Sequence, residues 1–172
     1  MIRWLGAALV LFAGTMIGFI QAARYAERPR QIRHLIHALQ RLETEIGFGS
    51  TPLPEALARI AQALPAPLSE LFADAAGQLE EGRGETVQVC WERAVTERWP
   101  ATAMRQGERE AMLRLGASLG GSGKEDQQKH IRLAMAHLQA EEAAAREDQQ
   151  RYEKLSRSLG VLGAALVVIL MV

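Results

Sequence analysis

The sequence has a single cysteine, Cys90, in 172 residues. A lone cysteine excludes an internal disulfide and a cysteine-based zinc site. Cys90 sits in VQVCWERAV, beside Trp91 and three residues after Val87, the setting of a small core residue. Aromatic residues are scarce, at 5%, and strand signals are nearly missing. Ala, Leu, Glu, Gln and Arg dominate instead, which predicts an all-α protein. Neither sign of charge is in surplus: Lys+Arg number 20 and Asp+Glu number 20. Without a basic excess, nucleic acid is discounted as a partner. No P-loop, no G-x-G-x-x-G after a strand, no H-E-x-x-H and no G-x-S-x-G occurs. No catalytic, cofactor-binding or metal-binding residue is therefore assigned, and an enzyme is not expected.

What the sequence does have is a long apolar run. Trp4–Ala23, WLGAALVLFAGTMIGFIQAA, carries no charge between Arg3 and Arg24. As a helix it covers about 30 Å, the thickness of a bilayer's hydrocarbon core. In lipid every backbone polar group needs an internal partner, so a helix is the form expected. Arg24, Arg28, Arg30 and Arg33 follow directly, opposed only by Glu27. Positive flanks mark the cytoplasmic side, so the chain after Ala23 is expected in the cytoplasm and Met1 outside it. A cleaved signal peptide is the competing reading. Against it stand the length of the run, bulky Gln21 at the −3 position of the best cleavage site, and the arginines downstream. Gly14 and Gly18 form a G-x-x-x-G, which either permits close helix approach or is merely tolerated.

The chain ends as it begins. Leu159–Val172, LGVLGAALVVILMV, is again uncharged and follows Arg151, Lys154 and Arg157. It is shorter than the usual span of about 17–25 residues, so it reads as a short second span or as a buried helix. The repeated basic flank favours the membrane. Three regions result: an anchor at 1–23, a helical domain at 24–158 and a terminal segment at 159–172. The middle region is long enough for one domain with a modest core.

Within it, apolar residues recur at three- and four-residue steps. Ile32, Leu35, Ile36, Leu39, Leu42 and Ile46 predict an amphipathic helix over Pro29–Ile46, stopped by Gly47 and Gly49. Ser50–Pro54 is a turn. Helices are predicted from Pro54 to Leu64, over Leu68–Glu81, over Thr86–Trp99 and over Thr102–Leu119, the last weakened by Gly116, Gly120, Gly121 and Gly123. Ser122-x-x-Glu125 reads as a capping box that opens a final helix from Lys124 to Leu159. The expected fold is a bundle of about six helices, with Leu35, Leu39, Leu71, Trp91, Leu115 and Leu138 in the core.

Two clusters invite a functional reading. His34 and His37 stand three apart, and His130 and His137 seven apart. A metal site across two helices is conceivable, but the spacing is loose and ordinary boundary histidines are the plainer reading. Glu141, Glu142, Glu147 and Asp148 are interleaved with Arg146 and Arg151, as on a solvated helix face or a docking surface. Of these, Glu142, Glu147 and Asp148 are the candidate partner contacts.

Several stretches carry a resemblance. They are Trp4-Leu5-Gly6-Ala7, Glu27-Arg28-Pro29-Arg30-Gln31, Glu45-Ile46 leading to Gly49-Ser50-Thr51-Pro52-Leu53, Gln128-Lys129-His130-Ile131, Asp148–Lys154 and Ser158-Leu159-Gly160. In them the chain resembles, from end to end, the stage III sporulation protein AB family of endospore-forming bacteria. Pro52-Leu53-Pro54-Glu55-Ala56-Leu57 is also similar to the platform protein F of type II secretion and type IV pilus machines. That match is partial, since platform proteins have two such domains and three spans. The resemblance implies a structural component of a secretion-like channel complex joining mother cell and forespore. It implies a place in the mother-cell membrane facing the forespore, with the soluble domain in the mother-cell cytoplasm. It further implies a cytoplasmic secretion-type ATPase, stage III sporulation protein AA, and other membrane proteins of the complex as partners. The alternative is a membrane-tethered regulator or sensor that binds an ion through its histidines or its acidic stretch.

Overall fold

The computed structural model describes residues 26–48, 51–82, 84–121 and 123–171; for 156–171 it describes the helical backbone alone. The expected N-terminal span, with Gly14 and Gly18, lies outside the described residues, as do Arg24 and Ser122. Among the described residues, no helix is long and apolar enough to cross a membrane.

All regular structure among the described residues is helical. Helix α1 covers 26–48, followed by α2 (Leu53–Gln62), α3 (Leu68–Glu80), α4 (Val87–Arg98), a 3₁₀ turn at Trp99–Ala101, α5 (Gln106–Ser118) and α6 (Lys124–Met171). Consecutive helices pack in chain order, α2 on α3, α3 on α4, α4 on α5 and α5 on α6. The predicted core holds: Leu35, Leu39, Leu71, Trp91, Leu115 and Leu138 are all buried, and Cys90 is buried with them. A side chain such as Leu39, with no exposed surface, removes apolar area from water at about 25 cal/mol per Å².

The helix limits depart from expectation for local reasons. Helix α1 is already formed at residue 26, so Pro29 does not open it. Thr86 caps α4 instead of starting it, its hydroxyl accepting from the Val89 N–H at 3.4 Å. Helix α5 starts at Gln106 instead of Thr102. The four residues before it are held otherwise: the Ala103 N–H donates to Gln31 Oε1 at 2.8 Å, and the Arg105 carbonyl accepts from Trp99 Nε1 at 3.3 Å. Gly116 is no weak point of α5. A methyl group there would lie 2.3 Å from Trp91 Cδ1, so its missing side chain is the space in which Trp91 packs. Trp91 then donates from Nε1 to the Met112 carbonyl at 2.7 Å and stands edge-on to Phe72, with ring centroids 5.8 Å apart. The chain leaves α5 through Gly120 at φ +80°, a conformation that favours glycine.

Helix α6 holds the largest departure. It does not break near Leu159. It runs unbroken for 48 residues to Met171, a rod of about 72 Å at 1.5 Å per residue.

Candidate functional site

The first and last helices are joined by charge. Arg28 Nη2 lies 2.8 Å from Glu141 Oε2, and Arg28 Nη1 lies 3.7 Å from Asp148 Oδ2. Arg33 Nε stands 3.4 Å from Glu142 Oε1. Further along, Arg132 Nε donates to Glu43 Oε1. At the end, a methyl on Gly47 would meet Gln128 Nε2 at 2.6 Å. As the α1 partner advances from Arg28 to Gly47, the α6 partner retreats from Asp148 to Gln128. The two helices therefore run antiparallel, side by side, over about 30 Å.

Arg28 is the hinge pin of this pairing, and the fold encloses its side chain. Its side chain is 6% exposed, and its Nε donates to Glu108 Oε1 at 2.8 Å. Glu108 is fully buried. Its second oxygen accepts from the Arg105 N–H at 2.9 Å, the half of a capping box that closes the first turn of α5. Arg105 in turn reaches Asp148 Oδ2 at 3.0 Å. One guanidinium thus fastens three helices, and each ion has a counter-ion or a backbone donor, as burial of charge requires. Gly107 keeps this seam narrow, because a methyl group there would sit 2.6 Å from Glu141 Oε1.

The three acids proposed as partner contacts divide accordingly. Asp148 belongs to the Arg28–Arg105 cluster. Glu142 is mostly buried between Arg33 and Arg146. Glu147 is exposed and makes no ion pair among the described residues. Of the basic flank, Arg30 is exposed beside Glu27 at 3.3 Å, Arg33 is half-exposed, and Arg151 and Lys154 are exposed. The side chain of Arg157 is outside the description.

The histidines do not converge. His37 Nδ1 pairs with Gln40 Oε1 at 3.0 Å and His130 Nδ1 with the Asp126 carbonyl at 2.9 Å, each within its own helix. His34 is half-buried on α1. His137 Nε2 is enclosed without a hydrogen-bond partner, 3.9 Å from Glu141 Oε1. Among the described residues, no three His, Cys, Asp or Glu side chains are grouped to hold a metal ion. No local pattern announces the Arg28–Glu108 pair, whose members lie 80 positions apart. Its one trace is Glu108 three residues after Arg105, a spacing that suits an N-terminal capping box.

Three comparisons bear on this architecture. Residues 3–172 match the family described as stage III sporulation protein AB. The chain is 41% identical over 171 residues to the stage III sporulation protein AB of Bacillus subtilis (strain 168), covering 99% of each chain. It is also similar to a solved structure of a stage III sporulation protein AB, with a TM-score of 0.70 and 42% identity. That likeness covers 73% of this chain and 98% of the solved one.

Proposed function

The chain belongs to the stage III sporulation protein AB family, and we propose that it serves as a structural membrane component of a secretion-like complex joining mother cell and forespore. In this reading 4–23 and 159–172 cross the mother-cell membrane, and the helical domain stands in the mother-cell cytoplasm. There it couples a cytoplasmic secretion-type ATPase, stage III sporulation protein AA, to the membrane assembly. Its work is mechanical and not catalytic.

One observation carries the reading. The antiparallel register of α1 and α6 brings the start of α1 level with Asp148. From that level α6 continues for about 35 Å to Met171, and its uncharged part from Leu159 covers about 20 Å, a short span. The apolar N-terminal run precedes the start of α1 in the sequence. In this reading both apolar segments enter the membrane from that side, and the buried Arg28 cluster locks the helices that lead to them. Force applied to one is carried to the other and, through Glu108, to α5. The remaining basic flanks fit the cytoplasmic face.

The test is co-purification with the sporulation ATPase from membranes at low and high salt. Binding is expected at low salt and weaker at high salt, because charge mainly sets encounter and register. Glu147→Lys is the cleanest probe of the acidic face, because reversing Glu142 or Asp148 would break intramolecular pairs. Absence of binding at both salts would assign the coupling to another component. The ion-sensor reading has no grouping of ligands to rest on among the described residues.

A further inference from the structure

The domain carries two features that the coupling role leaves unused. The first is the outward face of α1. Arg30, His34, His37, Arg41, Thr44 and Phe48 recur at steps of four and three, so they lie along one side of the helix. Phe48, at its tip, is 86% exposed, an unusual position for a phenylalanine. Arg41 is exposed and has no ion pair among the described residues. The second feature is an open groove of about 430 Å³ between α2 and α3. Its floor is apolar and shallow, made by Ala58, Ala61, Ala73 and Ala76, and Glu70 and Glu80 stand in its lining. Glu80 is exposed without an ion pair among the described residues, and Glu70 pairs with Arg98 at 3.6 Å.

We propose that the α1 tip of one copy docks in the α2–α3 groove of a second copy, with Phe48 on the alanine floor and Arg41 against the acidic rim. The sizes agree, since small floor residues leave the room that an aromatic ring fills. The charges agree, since the stripe is basic and the rim acidic. Tip and groove are different surfaces, so the contact is head-to-tail. It leaves a free tip and a free groove on every dimer, and it grows into a row or closes into a ring. An exposed aromatic with an arginine one heptad away is the kind of anchor that carries binding energy. This inference is independent of which partner the domain couples to.

The test uses the full-length protein in detergent, in a Cys90→Ser background. One chain carries Thr44→Cys, on the same stripe as Phe48, and a size tag; the other, untagged, carries Gly77→Cys in the groove lining, where a Cβ has open space. Under mild oxidation the mixed disulfide dimer should exceed either symmetric dimer by about tenfold, because only the mixed pair meets head-to-tail. Arg41→Glu on the tagged chain should lower the mixed product about tenfold, and Glu80→Lys on the other chain should restore it. Symmetric dimers as abundant as mixed ones, or no mixed product, would overturn the proposal. Arg41→Glu without effect, or an effect that Glu80→Lys does not reverse, would overturn the charge pairing on which it is built.

Discussion

Arg28 is the residue on which most depends. Three carboxylates surround it, and one of them, Glu108, has no exposed surface. Removing the guanidinium leaves a buried anion without its counter-ion, a change that costs about 3–5 kcal/mol in comparable sites. Arg28→Ala should therefore lower the urea midpoint of the domain strongly. Arg28→Met combined with Glu108→Leu should recover much of the loss, since buried pairs are replaceable by apolar groups of similar volume. Equal losses in the single and double variants would show that the ion pair is not the cause. Gly116→Ala should cost about 1–3 kcal/mol through overpacking, because Trp91 fills the space a methyl would need. Leu39→Ala should cost about 2–5 kcal/mol, read in the same unfolding curves. The leucine is legible in the sequence through its periodicity. Arg28 is not, because four arginines beside an apolar run all look like a membrane flank. What separates Arg28 from Arg30 is Glu108, and only the tertiary fold brings it near.

At the scale of elements, the apolar stripes mark the helices and their inner faces well. The limits fail where side chains reach across the chain. Gln31, on α1, takes the Ala103 N–H and so delays α5, a contact that no local pattern announces. The register of α1 on α6 was likewise hidden, since it is set by polar pairs and not by a hydrophobic repeat. That register makes a direct prediction. In a Cys90→Ser background, cysteines at Gly47 and Gln128 should be joined within one chain by a short bis-maleimide, whereas cysteines at Gly47 and Asp148 should not. Efficient closure of the second pair would mean that the helices do not run as described. The continuity of α6 was missed for a different reason. The change from charged to apolar near Leu159 reads as a boundary, yet helix propensity carries through the Ala and Leu residues and through Gly160 and Gly163.

For the whole molecule, the antiparallel pair of outer helices places the start of α1 and the apolar end of α6 on one side and the α1 tip on the other. About 30 Å separate the Arg28 cluster from Gly47 and Gln128. In the proposed reading such a domain works as a rigid post, held at both chain ends on one side and free to meet partners at the other. The central claim is that this post stands in the cytoplasm. It is tested most directly by thiol labelling of Lys129→Cys, in a Cys90→Ser background, with a membrane-impermeant maleimide. Lys129 is exposed near the distal end, so its reactivity reports the side of the membrane and not burial. The account predicts no labelling in intact cells and full labelling after lysis; labelling in intact cells would contradict it.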